Sequence, residues 1–340
     1  MKPNLYILSL LFLLVSCADN EAVKVIALSA APLDTLALEP VKLPVTVFQP
    51  QRVVSSGDNL VFYDGVGKGT FKVFDGSSHQ YLFTYPDANN ELEQHDFIDD
   101  NSIINRNGTL NYLDYPIYRR VKINRQDSTF QRLEQVDLSG MIDNINRLAH
   151  LNDTLYTAMN SDTEFNAHQS LLFSSKSSTV LKTFAEYPEE GLVFESPEAK
   201  SAQYRYTVVA DEARGQIAVF YTYVNLIRFY DFTGALLKEV RVGSYTTPQI
   251  PKERNLYFLA PVATDDNIYV LYLNQNNASV NEDPETIRPE LQVYNWEGEL
   301  LKRSYIDAPV YTFDVSVAGD QLIGIAFQEE GAILQASPEL

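Results

Sequence analysis

The one thiol of the chain, Cys17, ends the run Leu14-Val15-Ser16-Cys17 directly behind an apolar stretch from Leu5 to Val15. A thiol can form a thioether with a diacylglycerol carbon, and small residues ahead of it let a signal peptidase cut in front of the modified cysteine. The spacing therefore reads as a lipid-attachment site, with a signal peptide over 1–16. The apolar stretch is too short for a membrane span, which takes ~20 residues. With its sole thiol so used, the mature chain has no disulfide, no cysteine metal site and no cysteine nucleophile. Other chemistry is sparse. His79, His95, His150 and His168 show no ligand spacing and none pairs with Glu as in a zinc protease, so no metal is expected. No Gly-x-Ser-x-Gly elbow and no glycine-rich phosphate loop occurs. The carboxylate pairs Asp99-Asp100, Glu189-Glu190, Asp265-Asp266 and Glu329-Glu330 fall at expected turns, where solvated acids are ordinary. These patterns predict no catalytic residue and no cofactor.

The elements that would position any site are short strands. Tyr and Phe are abundant, at 21 and 18 residues, and recur with β-branched residues in alternating stretches closed by Asp, Asn and Gly. The segments Ile227–Val240 and Leu291–Ser304 are two copies of one unit: an alternating strand, a turn on Asp231 or Asn295 with Gly three residues later, and a second strand. Weaker copies start at Phe71 and Leu171, and another strand behind an acidic turn precedes each hairpin. Aligning these preceding strands on Leu60, Ile103, Leu155, Ile217, Ile268 and Leu322 gives units about fifty residues apart, the period of a four-stranded propeller blade. The expected fold is an all-β six-bladed β-propeller, with two β-sandwiches as the competing architecture. Residues 105–138 depart from the pattern as an elongated hairpin would. The last unit stops after a third strand, so the fourth is expected from the N-terminal side, within Val23 to Phe48, which would remove an exposed edge. The expected division is a signal peptide over 1–16, a lipidated tether and possible ring-closing strand over 17–40, and the propeller over 41–340.

The C-terminal segments Asp265–Tyr272, Leu291–Arg303 and Ala308–Val315 resemble the TolB-like six-bladed β-propeller lipoproteins of Bacteroidota. The resemblance implies a lipid-anchored propeller in the cell envelope and brings no established catalytic residues, since fold does not fix function. Together with Cys17 it implies the outer membrane, with the periplasmic and surface faces both open.

The formal charge is −19, and −20 without Lys2, so contact with nucleic acid or anionic headgroups is not expected, and acyl chains rather than surface charge would hold the protein to membrane. The function expected is a non-catalytic ligand-binding or interaction scaffold with an envelope protein or glycan as partner. The alternative is an envelope enzyme, lactonase-like or glycan-cleaving, with its site at the central channel. In a propeller the first strand of each blade lines that channel, and these strands begin near Arg52, His95, Arg147, Arg205, Tyr206, Tyr257 and Tyr311. The set is basic and aromatic and lacks a carboxylate cluster, which suits an anionic or sugar ligand.

Overall fold

The computed structural model describes residues 23–336 except for 29–30, 67–68, 87–96, 140–145, 160–167, 178, 189–191, 244–253, 317–319 and 328–331. Three short strands, β1 (Val23–Ile26), β2 (Leu33–Leu36) and β3 (Glu39–Pro40), precede the repeated units. Blade 1 is β4 (Pro50–Ser56), β5 (Asn59–Asp64), β6 (Thr70–Asp75) and β7 (Tyr81–Tyr85). Blade 2 is β8 (Ile98–Arg106), β9 (Thr109–Asp114), β10 (Ile117–Asn124) and β11 (Thr129–Asp137). Blade 3 is β12 (Asn146–Asn152), β13 (Leu155–Met159), β14 (His168–Ser174) and β15 (Thr179–Glu186). Blade 4 follows a short helix, α1 (Pro197–Gln203), and holds β16 (Tyr206–Asp211), β17 (Gln216–Tyr221), β18 (Leu226–Asp231) and β19 (Leu236–Val242). Blade 5 is β20 (Asn255–Ala263), β21 (Asn267–Asn276), β22 (Glu290–Asn295) and β23 (Leu300–Ile306), with α2 (Asn277–Glu282) between β21 and β22. Blade 6 contributes β24 (Val310–Val315), β25 (Leu322–Ala326) and β26 (Ile333–Ala336).

The first strands β4, β8, β12, β16, β20 and β24 each touch the next, and β24 touches β4, so the innermost strands form a closed circle. Each buried cluster lies between two consecutive blades. Phe71, Val73, Tyr112 and Phe130 join blades 1 and 2, for example, while Val53, Phe62, Ile323 and Ile325 join blades 6 and 1. A blade is thus covered on both faces, which explains the near-continuous apolar runs of the second strands, such as Gln216–Tyr221. Each fully buried ring, Tyr112, Tyr156, Phe173 or Phe220, contributes roughly 3 kcal/mol of apolar burial.

One strand assignment needs correction. Ile103 belongs to the first strand of blade 2, and the second strand carries Leu110. The polar run Asp99-Asp100-Asn101-Ser102 looks like a turn but lies inside β8 at an irregularity between Asp99 and Ile104. Its side chains satisfy the local backbone: Ser102 Oγ donates to the Asp99 carbonyl at 2.6 Å and accepts from the Leu113 amide at 2.7 Å, and Asp99 Oδ1 accepts from the Asn101 amide at 3.1 Å. The following hairpin, β10 with β11, is long, as its departure from the repeat predicts.

The N-terminal strands run along the ring's outside. Strand β1 pairs in parallel with β19 of blade 4, β2 in parallel with β23 of blade 5, and β3 antiparallel with β26 of blade 6. The crossing from β1 to β2 is held by Arg303 of β23, whose Nη1 donates to the carbonyl of Leu28 while its other nitrogens grip Glu290 at 2.8 and 2.9 Å.

Candidate functional site

The inner strands start at the connections between blades and end at tight turns, so the channel has a connection end and a turn end. At the turn end lies a cavity of about 530 Å³, lined by residues of all six inner strands: Arg52 and Ser55 of β4, Asn105 and Arg106 of β8, His150 of β12, Asp211 of β16, Val262 of β20 and Asp314 of β24. The turn residues Glu212 and Asp265 form its rim. Its size falls in the range of small-molecule sites, about 300–1,000 Å³.

Arg106 braces one wall. Its Nη1 donates to the carbonyl of His150 at 2.7 Å and to His150 Nδ1 at 2.9 Å, and its Nη2 donates to the carbonyl of Leu151 and to Glu212 Oε2, both at 2.6 Å. A guanidinium can only donate, so the neutral imidazole carries its proton on Nε2. Burial, then the charges of Arg106 and Arg120, push the His150 pKa down to about 3. Opposite, Asp314 accepts from the amide of Ser55, and burial outweighs that bond and the nearby Arg52, holding its pKa up at about 6. Arg52 is 8% exposed; its Nη1 reaches Thr312 Oγ1 at 3.3 Å, and its Nε has no partner among the described residues. Burial draws the Arg52 pKa down, with Asp314 and Asp100 pulling the other way.

The sequence-derived candidates separate. Arg52 lines the cavity. Arg147 and Arg205 lie toward the connection end, at the start of β12 and just before β16. Arg147 is tied down: its amide donates to Asp99 Oδ2 at 2.6 Å, and its Nη1 donates to Thr207 Oγ1 at 2.7 Å and to the Tyr206 carbonyl. Arg205 is exposed. Tyr206 is fully buried between blades 3 and 4, its hydroxyl bonded to Ser170 and the Gln169 carbonyl, so it offers a ligand nothing. Tyr257 is likewise buried between blades 4 and 5 against Tyr272. Tyr311 packs against Phe327, tilted by 34° with ring centres 4.2 Å apart, and donates to the Pro50 carbonyl. His95 lies outside the described residues. The ring-stacking surface expected of these tyrosines is therefore absent from the cavity lining, because aromatic side chains gain more from the apolar interfaces between blades than from a wet channel.

Single carboxylates do stand on the inner strands. Asp99 and Asp100 of β8 and Asp314 of β24 sit on inner strands beside Arg52 and Arg147. Burial and the neighbouring Asp99 raise the Asp100 pKa, while Arg52 and Arg147 draw it back. Among the described residues, no group of three or more acidic, His or Cys side chains is arranged to hold a metal ion. Asp265 and Asp266 are exposed turn residues, and Glu189, Glu190, Glu329 and Glu330 lie outside the described residues.

The comparisons follow the backbone. A member of the DUF4221 family from Bacteroides vulgatus matches at a TM-score of 0.59 and 11% identity, over 90% of this chain and 97% of that one. A protein of Bacteroides fragilis thought to be exported matches at 0.56 and 9%, over 93% and 98%. The WD40 domain of Pan2 from Neurospora crassa matches at 0.50 and 9%, over 91% and 98%. The likeness is one of fold. No protein-family model matches the chain, and no curated protein matches it in sequence.

Proposed function

We propose that the protein is a lipid-anchored β-propeller of the bacterial cell envelope, of the kind formed by TolB-like lipoproteins, that binds a small polar ligand in its central cavity without transforming it. The observation that carries this reading is the cavity itself, which all six inner strands line and to which five of them contribute polar side chains. Three of the titratable groups there are engaged in bracing bonds: His150 with Arg106, Glu212 with Arg106 and Asp314 with Ser55. The lipid anchor rests on Cys17 behind its apolar stretch, and export is in keeping with the Bacteroides fragilis neighbour. The pairing of β3 with β26 supports ring closure by the segment 17–40, which then serves as both tether and fastening.

The test has two arms. Cys17→Ser should move the protein out of the detergent phase or leave its signal uncut, with the melting of the mature domain unchanged; unaltered detergent partitioning would remove the anchor from the proposal. Ala213→Trp, which puts a large ring at the cavity rim, should abolish every thermal shift that a panel of amino acids, short peptides and saccharides produces in the parent protein. Shifts that survive the substitution would place binding elsewhere.

A second reading, an enzyme working at the channel, has one observation in its favour. Asp314, held near a pKa of 6 within a cavity, has the protonation behaviour of a general acid. Turnover of a lactone or glycan that disappears in Asp314→Asn would replace the binding reading.

A further inference from the structure

The rim of the cavity is acidic, whereas within it Arg52 stands with the buried Asp314. Arg52 is the third residue of β4, well before the turn that ends the strand, whereas Asp211, Glu212 and Asp265 stand at or beyond the turn-end limits of β16 and β20. The rim cations are already spent. Arg106 is bonded to Glu212 and two carbonyls, and Arg214 is bonded to Asp211 and the Asp265 carbonyl. The rim therefore keeps an excess of negative charge, with the Glu212 side chain 46% exposed and Asp265 also exposed. Arg52, deeper in, is the reverse case. The residue is 8% exposed, makes one long hydrogen bond to Thr312, leaves Nε unpartnered and makes no ion-pair contact among the described residues, Asp314 and Asp100 acting on it only through their charge. Elsewhere in the same protein buried arginines are paired: Arg228 with Glu239 and Arg303 with Glu290, each at 2.8 Å. A buried guanidinium with unmade hydrogen bonds is costly, and its planar fork matches a carboxylate through two parallel hydrogen bonds.

We propose that the cavity binds an amphoteric ligand, a short peptide whose terminal carboxylate enters to Arg52 and whose cationic end stays at the rim with Glu212 and Asp265. The assignment rests on the cavity being a binding site and names the ligand class. Capture of a chain-terminal carboxylate by buried donors is an established mode of peptide recognition, and the negative field of a chain of formal charge −19 draws the cationic end to the mouth.

The experiment is calorimetric titration of the mature protein with Lys-Ala-Ala, with its carboxy-terminal amide and with Glu-Ala-Ala. The free acid should bind at least tenfold more tightly than the amide, and Lys-Ala-Ala should bind more tightly than Glu-Ala-Ala. Arg52→Met should erase the difference between acid and amide, and Glu212→Gln should narrow the difference between the Lys and Glu peptides. The comparison of acid with amide on the unsubstituted protein needs no variant to fold. Equal binding of acid and amide, or no binding of any of the three, overturns the peptide assignment. If saccharides still shift the melting of the parent but not of Ala213→Trp, the cavity remains a binding site for another class.

Discussion

Arg106 and His150 show how a pair of side chains can be chemical in type and structural in role. The imidazole is 3% exposed, packs against Tyr118 and Tyr156, and receives its hydrogen bond from a guanidinium that cannot accept one. An unfolded histidine takes up its proton near pH 6.5, whereas this one stays neutral in the fold to about 3. Between those values the unfolded state binds more protons, so the contribution of His150 is present above pH 6.5 and lost as pH falls. At pH 4.5 the loss approaches roughly 2–3 kcal/mol. Asp314 acts with the opposite sign, because the folded state keeps its proton up to about pH 6 and gains stability on acidification towards 4. His150→Gln, measured in urea at pH 7 and 4.5, should lose about 2 kcal/mol less on acidification than the parent; equal losses would show that the imidazole is not what titrates. Little of this was legible in the sequence. Arg52 could be found because inner strands can be placed by repeat, but the pairing of Arg106 with His150 joins two blades and leaves no local spacing. The one signal that was available is Asp314, a charge within the alternating run Tyr311 to Val315, where an acidic residue in a buried strand is out of place.

At the scale of the strand and hairpin, the repeat has a purpose beyond making sheets. In the turn between the third and fourth strands of blade 5, Gly298 has φ +70, and a Cβ there would meet Val240 Cγ2 at 2.9 Å and Phe229 Cε2 at 3.0 Å in blade 4. Gly234 of blade 4 stands in the same relation to Phe184 of blade 3, at 2.8 Å. The fourth strand of the preceding blade completes the joint: Lys182 donates to the Thr233 carbonyl at 3.1 Å, and Lys238 donates to the Glu297 carbonyl. The repeated Lys and Gly are two halves of one interlock between neighbouring blades. Gly298→Ala should cost about 2–4 kcal/mol, about 1 from the left-handed backbone and the rest from crowding. Gly215, at φ +64 with nothing within 4 Å of its missing Cβ, is the control, and Gly215→Ala should cost only about 1 kcal/mol. Equal urea midpoint shifts for the two would dismiss the interlock. The hairpins were readable because Asp or Asn with a following Gly is a turn in any context. Blade 2 was misaligned because the polar residues 99–102 satisfy their own backbone within a strand, which resembles a turn in sequence.

Taken whole, the ring is a set of blades whose interfaces, not sheets, hold the core, and its N-terminal segment crosses the outside of three of them. Strand β3 pairs with β26 at the edge that the last blade leaves open. The parallel additions of β1 and β2 were not readable in the sequence, because four-residue segments such as Leu33–Leu36 carry no pattern that names a partner. A chain beginning at Phe48 should melt lower than one beginning at Ala22 by on the order of 5 °C or more, given the loss of Ile26 burial and of the β3 pairing. The emission of Trp296, the one tryptophan, which is buried between blades 4 and 5 beneath β1, should shift to the red at lower temperature in the shorter chain. Coincident melting curves would count against a fastening role.

The order in which these pairs can form follows from the register. Val23 waits for Glu239, Leu33 for Arg303 and Glu39 for Gln335, so the first strands made are the last to find partners. Loop closure over such distances is slow, and the innermost circle is itself incomplete until β24 meets β4. A nascent chain is thereby kept from finishing its fold until nearly all of it has been synthesised.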